Sequence, residues 1–457
     1  MVKVFDSMGE MEVPEGAYYG ASTQRAVVNF PVSGYRMPES VLRGLALVKM
    51  AAARANSGLG VLEEALAEAI LQAAGEVLEG RFADQFPVDV FQTGSGTSTN
   101  MNMNEVLAAR ANEILGAHPQ GRKPVHPNDH VNLGQSSNDV IPTAMHIAAR
   151  VQVQEALLPA LAALRTSLEE KASGFRSLVK LGRTHMQDAV PVTLGQEFSG
   201  WASMVSHSLE AVGAALPPLE EVPLGGTAVG TGLNAHPGFA GEAVSFISGK
   251  TGIAFRVSPN RFAAQGGMGA LTGLMKALAL YATSLVKIVS DLRLLASGPR
   301  GGIGEIRLPA LQPGSSLMPG KVNPVLIESA VQVGARVLGN DVTVSMANAS
   351  GILELNLAMP LTGFAVTESV NILASISRLL AERCIPGITA DEERCAELVE
   401  KSLALVTPLV ARIGYDRAAQ LATEALESGR TIGELVVEKG ILSAEEADQV
   451  LDPKKMV

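Results

Sequence analysis

The chain has 457 residues, 47% of them hydrophobic, and carries 36 Lys and Arg against 46 Asp and Glu, a formal net charge of −10. A long, apolar, acidic chain (pI about 5.4, mean hydropathy +0.22) can bury a large core over two or three domains, and without a basic run it has no nucleic-acid footprint and no affinity for anionic lipid. Two cysteines, Cys384 and Cys395, are too few for a disulfide framework or an iron–sulfur cluster held by this chain.

The N-terminus lacks the apolar core of a secretory signal, so a reducing cytosol is the simplest compartment. Residues 1–35 are punctuated by Gly and Pro and predict at most a strand or turn around 11–19. Apolar residues at three- and four-residue spacing then predict helices over 40–57, 62–79 and 103–115. A polar, turn-like stretch over 129–138 precedes a long helix over 140–171, with Pro142 near its start and Pro159 placed to bend it. Long helices come next over 194–216, 266–297, 325–346 and 360–382. Their apolar positions extend nearly all round, which predicts the centre of a bundle partly covered by other subunits. Lys276, Lys287, Asp291 and Arg293 interrupt the most hydrophobic stretch, so it reads as a buried helix and not a membrane span. After Pro386-Gly387 shorter helices predict a small C-terminal domain from about residue 390.

Four polar islands interrupt this helical chain: residues 92–100 (QTGSGTSTN), HPND at 126–129 leading into QSSND at 135–139, GRTHMQD at 182–188, and QPGSSLMPGKVNPVLIE at 312–328. Each precedes a helix, and Ser, Thr, Asn and Asp are ordinary N-caps, so any one of them alone reads as capping. Together they hold hydroxyls, amides, a lysine and a His-Thr pair. Asn323-Pro324 reads as an N-cap followed by Pro at the first helical position, which puts Lys321 at an electropositive helix end suited to an anion.

Competing motifs fail. Gly314 lies one residue too far from Gly320-Lys321 for a P-loop, and Val322 stands where the loop needs Ser or Thr. No Gly-x-Ser-x-Gly elbow follows a strand. Among the seven histidines (118, 126, 130, 146, 185, 207 and 236), His126 and His130 have helical spacing, but Pro127 separates them and there is no His-Glu-x-x-His, so no metal site is expected. The glycine-rich stretch 224–232 does not match Gly-x-Gly-x-x-Gly and reads as a close-packing turn.

The residues left suit one chemistry. Ser95, Thr97, Ser136, Ser137, Asn138 and Thr184 supply neutral donors and Lys321 a positive charge, which fits a small dicarboxylate. His185 can move a proton near neutral pH, with Glu328 the best placed carboxylate to hold its ring. A hydroxyl of Ser315 or Ser316 could act as a base if its oxyanion were stabilised by loop N–H groups, Lys321 and a helix N-terminus.

The segments GSGTSTNMNMNEV, HPNDHVNLGQSSNDVIPTAMHI, GRTHMQDAVPVTLGQEF and GSSLMPGKVNP resemble the fumarase/aspartase superfamily, and within it the class II fumarases, over nearly the whole chain. His185 matches fumarases where aspartate ammonia-lyases typically carry glutamine, and QSSND in place of QSTND points the same way. The resemblance implies an all-α, three-domain fold whose long central helices form a multi-helix bundle in a homotetramer, with domains over 1–138, 139–389 and 390–457. It implies reversible, cofactor-free hydration of fumarate to (S)-malate, as in the tricarboxylic acid cycle, at sites drawing on three subunits each.

By position, Ser315 would remove the C3 proton of malate, and His185, paired with Glu328, would handle the proton of the C2 hydroxyl. Ser95, Gly96, Thr97, Ser136, Ser137, Asn138, Thr184, Ser316, Lys321, Val322 and Asn323 would bind substrate. A second dicarboxylate site would use His126, Pro127, Asn128 and Asp129, with Lys123 where an arginine is usual; lysine cannot make arginine's planar two-pronged contact. Aspartate ammonia-lyase is the nearest rival, and a catalytically inactive helical scaffold the rival from another class.

Overall fold

A computed structural model describes residues 1–457. The chain opens with an antiparallel hairpin, β1 (Val2–Asp6) and β2 (Gly9–Val13), earlier than the strand expected around 11–19. Helices come next: α1 (Ala21–Asn29), α2 (Glu39–Gly58), α3 (Glu64–Leu78), α4 (Thr97–Ile114), α5 (Ser137–Gln152) and α6 (Leu158–Gly174). A second hairpin, β3 (Val179–Thr184) and β4 (Gln187–Thr193), precedes α7 (Leu194–Ala214), α8 (Phe239–Thr251), α9 (Arg261–Gly266), α10 (Gly269–Leu295), α11 (Val325–Ala349) and α12 (Met359–Leu379). Shorter helices complete the chain, beginning with α13 (Glu392–Glu400). Strand pairs are all two-stranded, so the fold is all-α in substance.

Both proline effects have a definite form. The helix broken at Pro159 passes through one wide turn, Val153–Leu157, and α12 does the same over Leu380–Cys384 before Pro386. In each case the wide turn contains the carbonyl four residues before the proline, which has lost its N–H partner and would otherwise meet the ring.

The chain forms two compact units whose boundaries fall inside long helices: Met1–Pro159 with Glu210–Ala282 and Gly334–Ala374, and Ala160–Leu209 with Thr283–Val333 and Ser375–Val457. In the first unit α2 and α5 pack so closely that a Cβ on Gly44 would stand 2.5 Å from the Ala144 carbonyl oxygen, which makes glycine obligatory there. In the second, the C-terminal helices gather a core of their own that also takes in a residue of the β3 strand. Leu409, Leu421, Ile432, Leu435 and Val436 pack around Leu181 of β3, so the C-terminal segment props the hairpin that comes after α6.

By length and mean hydropathy, three helices (Ser137–Gly174, Gly269–Leu295 and Met359–Gly387) are long and apolar enough to cross a membrane. Charged residues still interrupt each of them, among them Arg150, Lys276 and Glu368. Between 44% and 61% of their most apolar windows is buried inside the chain, so much of this surface is core.

His146 on α5 is 5% exposed, its ring Nδ1 lies 3.2 Å from the Leu219 carbonyl oxygen, and burial pushes its pKa from 6.5 to about 4. Between those values the unfolded chain binds a proton that the folded chain refuses. Stability present above pH 6.5 is therefore lost as pH falls towards 4, by about 3 kcal/mol from this group. His146→Gln is expected to flatten the acid limb of Tm against pH; an unchanged limb would contradict the assignment.

Candidate active site

In the first unit, two helix N-termini share a chain of hydroxyls. Gly96 caps α4 at φ 72°, and a Cβ there would come within 3.0 Å of Ile141, so glycine is needed for both conformation and space. Ser95 Oγ lies 2.8 Å from Thr97 Oγ1, which lies 2.7 Å from Ser137 Oγ; that hydroxyl is 3.3 Å from Asn138 Oδ1. Ser136 caps α5 through a capping box: its Oγ accepts from Asn138 N, and Asp139 Oδ1 accepts from Ser136 N at 2.9 Å. The capping and ligand readings thus coexist, because the caps leave hydroxyls gathered on one patch where the Asp139 carboxylate is buried and taken up by backbone N–H groups.

The turn 224–232 packs closely as expected, since a Cβ on Gly226 would stand 2.4 Å from Gln265 Oε1. It also has a second role. Asp139 Oδ2 accepts from Gly225 N and Thr227 N at 3.0 and 2.9 Å, and Asn138 donates to the Ala228 carbonyl at 2.7 Å, so the turn sets the position of the α5 N-terminus.

Behind this patch lies a polar cluster that the sequence reading missed. Lys49 of α2 is fully buried, and its Nζ donates to Asn132 Oδ1 and Gln135 Oε1, each at 3.0 Å. Asn132 Oδ1 also accepts from Asn100 and Asn104, at 3.2 Å each. Burial pushes the Lys49 amine down to about 7 and Asp139 up to about 6. The available signal was a lysine inside an otherwise apolar helical face, between Val48 and Ala51.

The turn expected to hold a second dicarboxylate is a wide helical turn, Pro127–Val131, capped by His126. His126 Nδ1 accepts from Asn128 N and Asp129 N at 3.2 Å each, so its proton sits on Nε2 and the 3.3 Å approach of Asp129 Oδ2 is no charged pair. Burial and then the Arg122 charge lower the His126 pKa. Lys123 is exposed and makes no ion pair. Arg122 is thus the cation whose field reaches this turn.

In the second unit, β3 and β4 are joined by a two-residue turn in which His185 and Met186 have φ 54° and 61°. Such hairpin turns normally place Asn or Gly at these positions; a His-Met turn stores strain that its flanks must hold. Thr184 and His185 are exposed. The loop 314–323 is pinned at its neck, where Gly314 N donates to the Lys321 carbonyl at 3.0 Å and the Asn323 side chain donates to the Gly314 carbonyl. This corrects the N-cap expectation: α11 begins at Val325, and Asn323 closes the loop instead of capping the helix. Inside the loop Ser315 Oγ accepts from Leu317 N at 3.2 Å and Met318 N at 2.9 Å. Ser316, Lys321, Val322 and Glu328 are exposed. Within one chain, none of Ser315, His185 and Glu328 hydrogen-bonds to another.

Residues 9–339 match the Lyase family and residues 405–457 the fumarase C C-terminus. The chain is 48% identical over 452 residues to the class II fumarate hydratase of Neisseria meningitidis, covering 99% of this chain and 98% of that protein. It is 51% identical over 451 residues to that of Halobacterium salinarum, covering 99% and 96%. It superposes on a crystal structure of class II fumarase from Schistosoma mansoni with a TM-score of 0.95 at 40% identity, over 100% of this chain and 98% of that one. On these identities over nearly the full length of both chains, the chain belongs to the class II fumarate hydratase family.

Proposed function

We propose that the chain is a metal-independent fumarate hydratase, and that Ser315 is its carbon base. The observation that carries the role of Ser315 is its Oγ accepting two backbone N–H groups, at 3.2 and 2.9 Å, because donors aimed at a hydroxyl oxygen stabilise the alkoxide it must become to act as a base. In the direction of dehydration, the Ser315 alkoxide takes a proton from C3 of malate. The electron pair left on C3 spreads into the adjacent carboxylate. The C2–O bond then breaks, and His185, oriented by Glu328, delivers the proton that lets the hydroxyl leave as water.

The substrate is doubly negative and its intermediate carries a further charge, so the binding groups must be donors and cations. Ser95, Thr97, Ser136, Ser137 and Asn138 supply the neutral set at two helix N-termini, with the Gly96 turn giving close backbone approach. Thr184, Ser316, Lys321, Val322 and Asn323 supply the rest. Because Ser315, His185 and Glu328 do not meet within one chain, the site is completed between copies. An exposed apolar stripe on α11, Leu338, Val342 and Met346 at four-residue spacing, supports assembly into a tetramer. The reading places the enzyme in the cytoplasm, and around His126 it assigns the second dicarboxylate contact to Arg122 in place of Lys123.

The deciding experiment incubates the assembled protein separately with malate and with aspartate and follows fumarate absorbance. Fumarate from malate alone is the expected result. Fumarate from aspartate alone would make the chain an ammonia-lyase, and none from either would make it a scaffold.

A further inference from the structure

Beneath the hairpin that carries His185 lies a buried ionic cluster that takes no part in the proposed proton transfers. Lys180 and Arg183 of β3 are 1% and 15% exposed at the side chain, and both face Glu305, which is fully buried. Arg183 engages both oxygens of Glu305, Nη1 to Oε2 at 2.9 Å and Nη2 to Oε1 at 3.0 Å, the planar fork that only arginine can make. Lys180 Nζ reaches Glu305 Oε2 at 3.1 Å and donates to Glu197 Oε1 and the Leu181 carbonyl, both at 2.9 Å. Two cations therefore balance two carboxylates. Glu305 is itself fixed: its carbonyl accepts from Asp391 N at 2.9 Å and its N–H donates to the Leu295 carbonyl at 3.0 Å.

Arg183 sits where the strand leaves the interior. It is the last side chain of β3 anchored there; Thr184, His185, Met186 and Gln187 beyond it are exposed. His185 and Met186 hold left-handed backbone that neither residue prefers, so beyond the Thr184–Gln187 strand pair the tip depends on its flanks to keep its shape. The strand is irregular between Leu181 and Arg183, where a Cβ on Gly182 would stand 2.4 Å from the Val190 carbonyl oxygen. That bulge turns Arg183 onto the same carboxylate that Lys180 reaches. A surface turn would have no need of such an anchor, since a buried ion pair is a weak source of stability compared with an apolar contact of the same volume.

We infer that Arg183, through its forked pair with Glu305, is a positioning residue that holds the strained Thr184–His185–Met186 turn in one conformation and so fixes the imidazole that moves the hydroxyl proton. The inference rests on the proposed role of His185. Arg183 acts through His185 and touches no substrate.

The test is a double-mutant cycle in the full tetramer. Arg183→Lys keeps the charge and loses the fork; it should lower kcat by roughly 10- to 100-fold, the scale of a misplaced catalytic group, with KM changed by no more than about threefold. On a His185→Asn background the same substitution should lower kcat no further, because the group it positions is gone. Should Arg183→Lys fail to fold, Arg183→Gln with Glu305→Gln removes both charges and leaves Lys180 facing Glu197, and the same losses are expected of it. Unchanged kcat in the folded variants, or a full multiplicative loss on the His185→Asn background, overturns the positioning role. Normal turnover by His185→Asn alone would instead overturn the reading of His185.

Discussion

Ser315→Ala is expected to lower kcat in both directions by about 10²–10⁴-fold, the usual worth of a positioned general base, with Tm and assembly unchanged. The size comes from the task set for the hydroxyl. A serine in water is far too weakly acidic to exist as an alkoxide near neutral pH, so a serine base requires an environment that has already offset the charge. Two N–H groups, from Leu317 and Met318, point at its Oγ, and the loop that presents them is closed at the neck by Gly314 and Asn323, with Lys321 on the same loop. Alanine leaves those donors facing empty space and removes the atom proposed to take the proton. Stability is spared because Ser315 is half-buried and its hydroxyl bonds only to its own loop. Ser316→Ala is the control: Ser316 is exposed and accepts no such pair of N–H groups, so its loss should appear chiefly in KM. Steady-state kinetics with malate and fumarate, beside thermal melts, decide the matter. Turnover by Ser315→Ala within tenfold of the parent would remove it as the base.

Long helices were legible in the sequence because their apolar positions recur with helical period, and the observed α7, α10 and α11 lie close to the expected ranges. The N-terminus of α4 was less legible. It begins at Thr97, six residues before the expected start, because its first turns carry Thr99, Asn100 and Asn102, polar residues that are buried for their hydrogen bonds and not for apolar surface. A hydropathy pattern carries no trace of that. The residues proposed for the site stand out in the sequence as types clustered before helices, yet their contacts do not. Asn323 looked like a cap and is a loop clasp, because which carbonyl an amide finds depends on a loop closure nine residues long. Lys49 was passed over since a lysine in a helix is normally on its wet face, and the fold alone places its amine against Asn132 and Gln135. In the same way, nothing in the motif around His185 tells that Arg183 meets a glutamate 122 residues away.

Gly94→Ala should be among the most damaging single-methyl changes in the chain. Gly94 has no unusual backbone angle that demands glycine; the constraint is space. A Cβ there would stand 2.0 Å from the Leu357 carbonyl oxygen and 2.5 Å from its carbon, both backbone atoms that cannot rotate away. The opposing segment cannot yield cheaply. Asn356, wholly buried, donates from its side chain to the Ala347 carbonyl and accepts from Ala358 N, both at 2.9 Å, and its N–H donates to the Gln265 carbonyl at 3.2 Å. The Gly94 loop must therefore move, and that would stretch the 2.9 Å bond from Met359 N to the Gly94 carbonyl and shift the next residue, Ser95, off Thr97. Overpacking of this kind costs about 1–3 kcal/mol where side chains can adjust, and a backbone-on-backbone clash belongs at or above the upper end. The variant should melt several degrees lower and show a raised KM, since the displaced hydroxyls are the ones assigned to substrate. Gly75→Ala is the matched control: it lies within α3, a Cβ there meets nothing within 4 Å, and removing a helical glycine should raise stability by roughly 0.5–1 kcal/mol. Melting both variants beside the parent separates a general intolerance of the chain to Gly→Ala changes from a specific clash. If Gly94→Ala melts with Gly75→Ala, the Gly94–Leu357 contact is not a constraint, and the hydroxyl patch owes its geometry to something other than the segment packed against it.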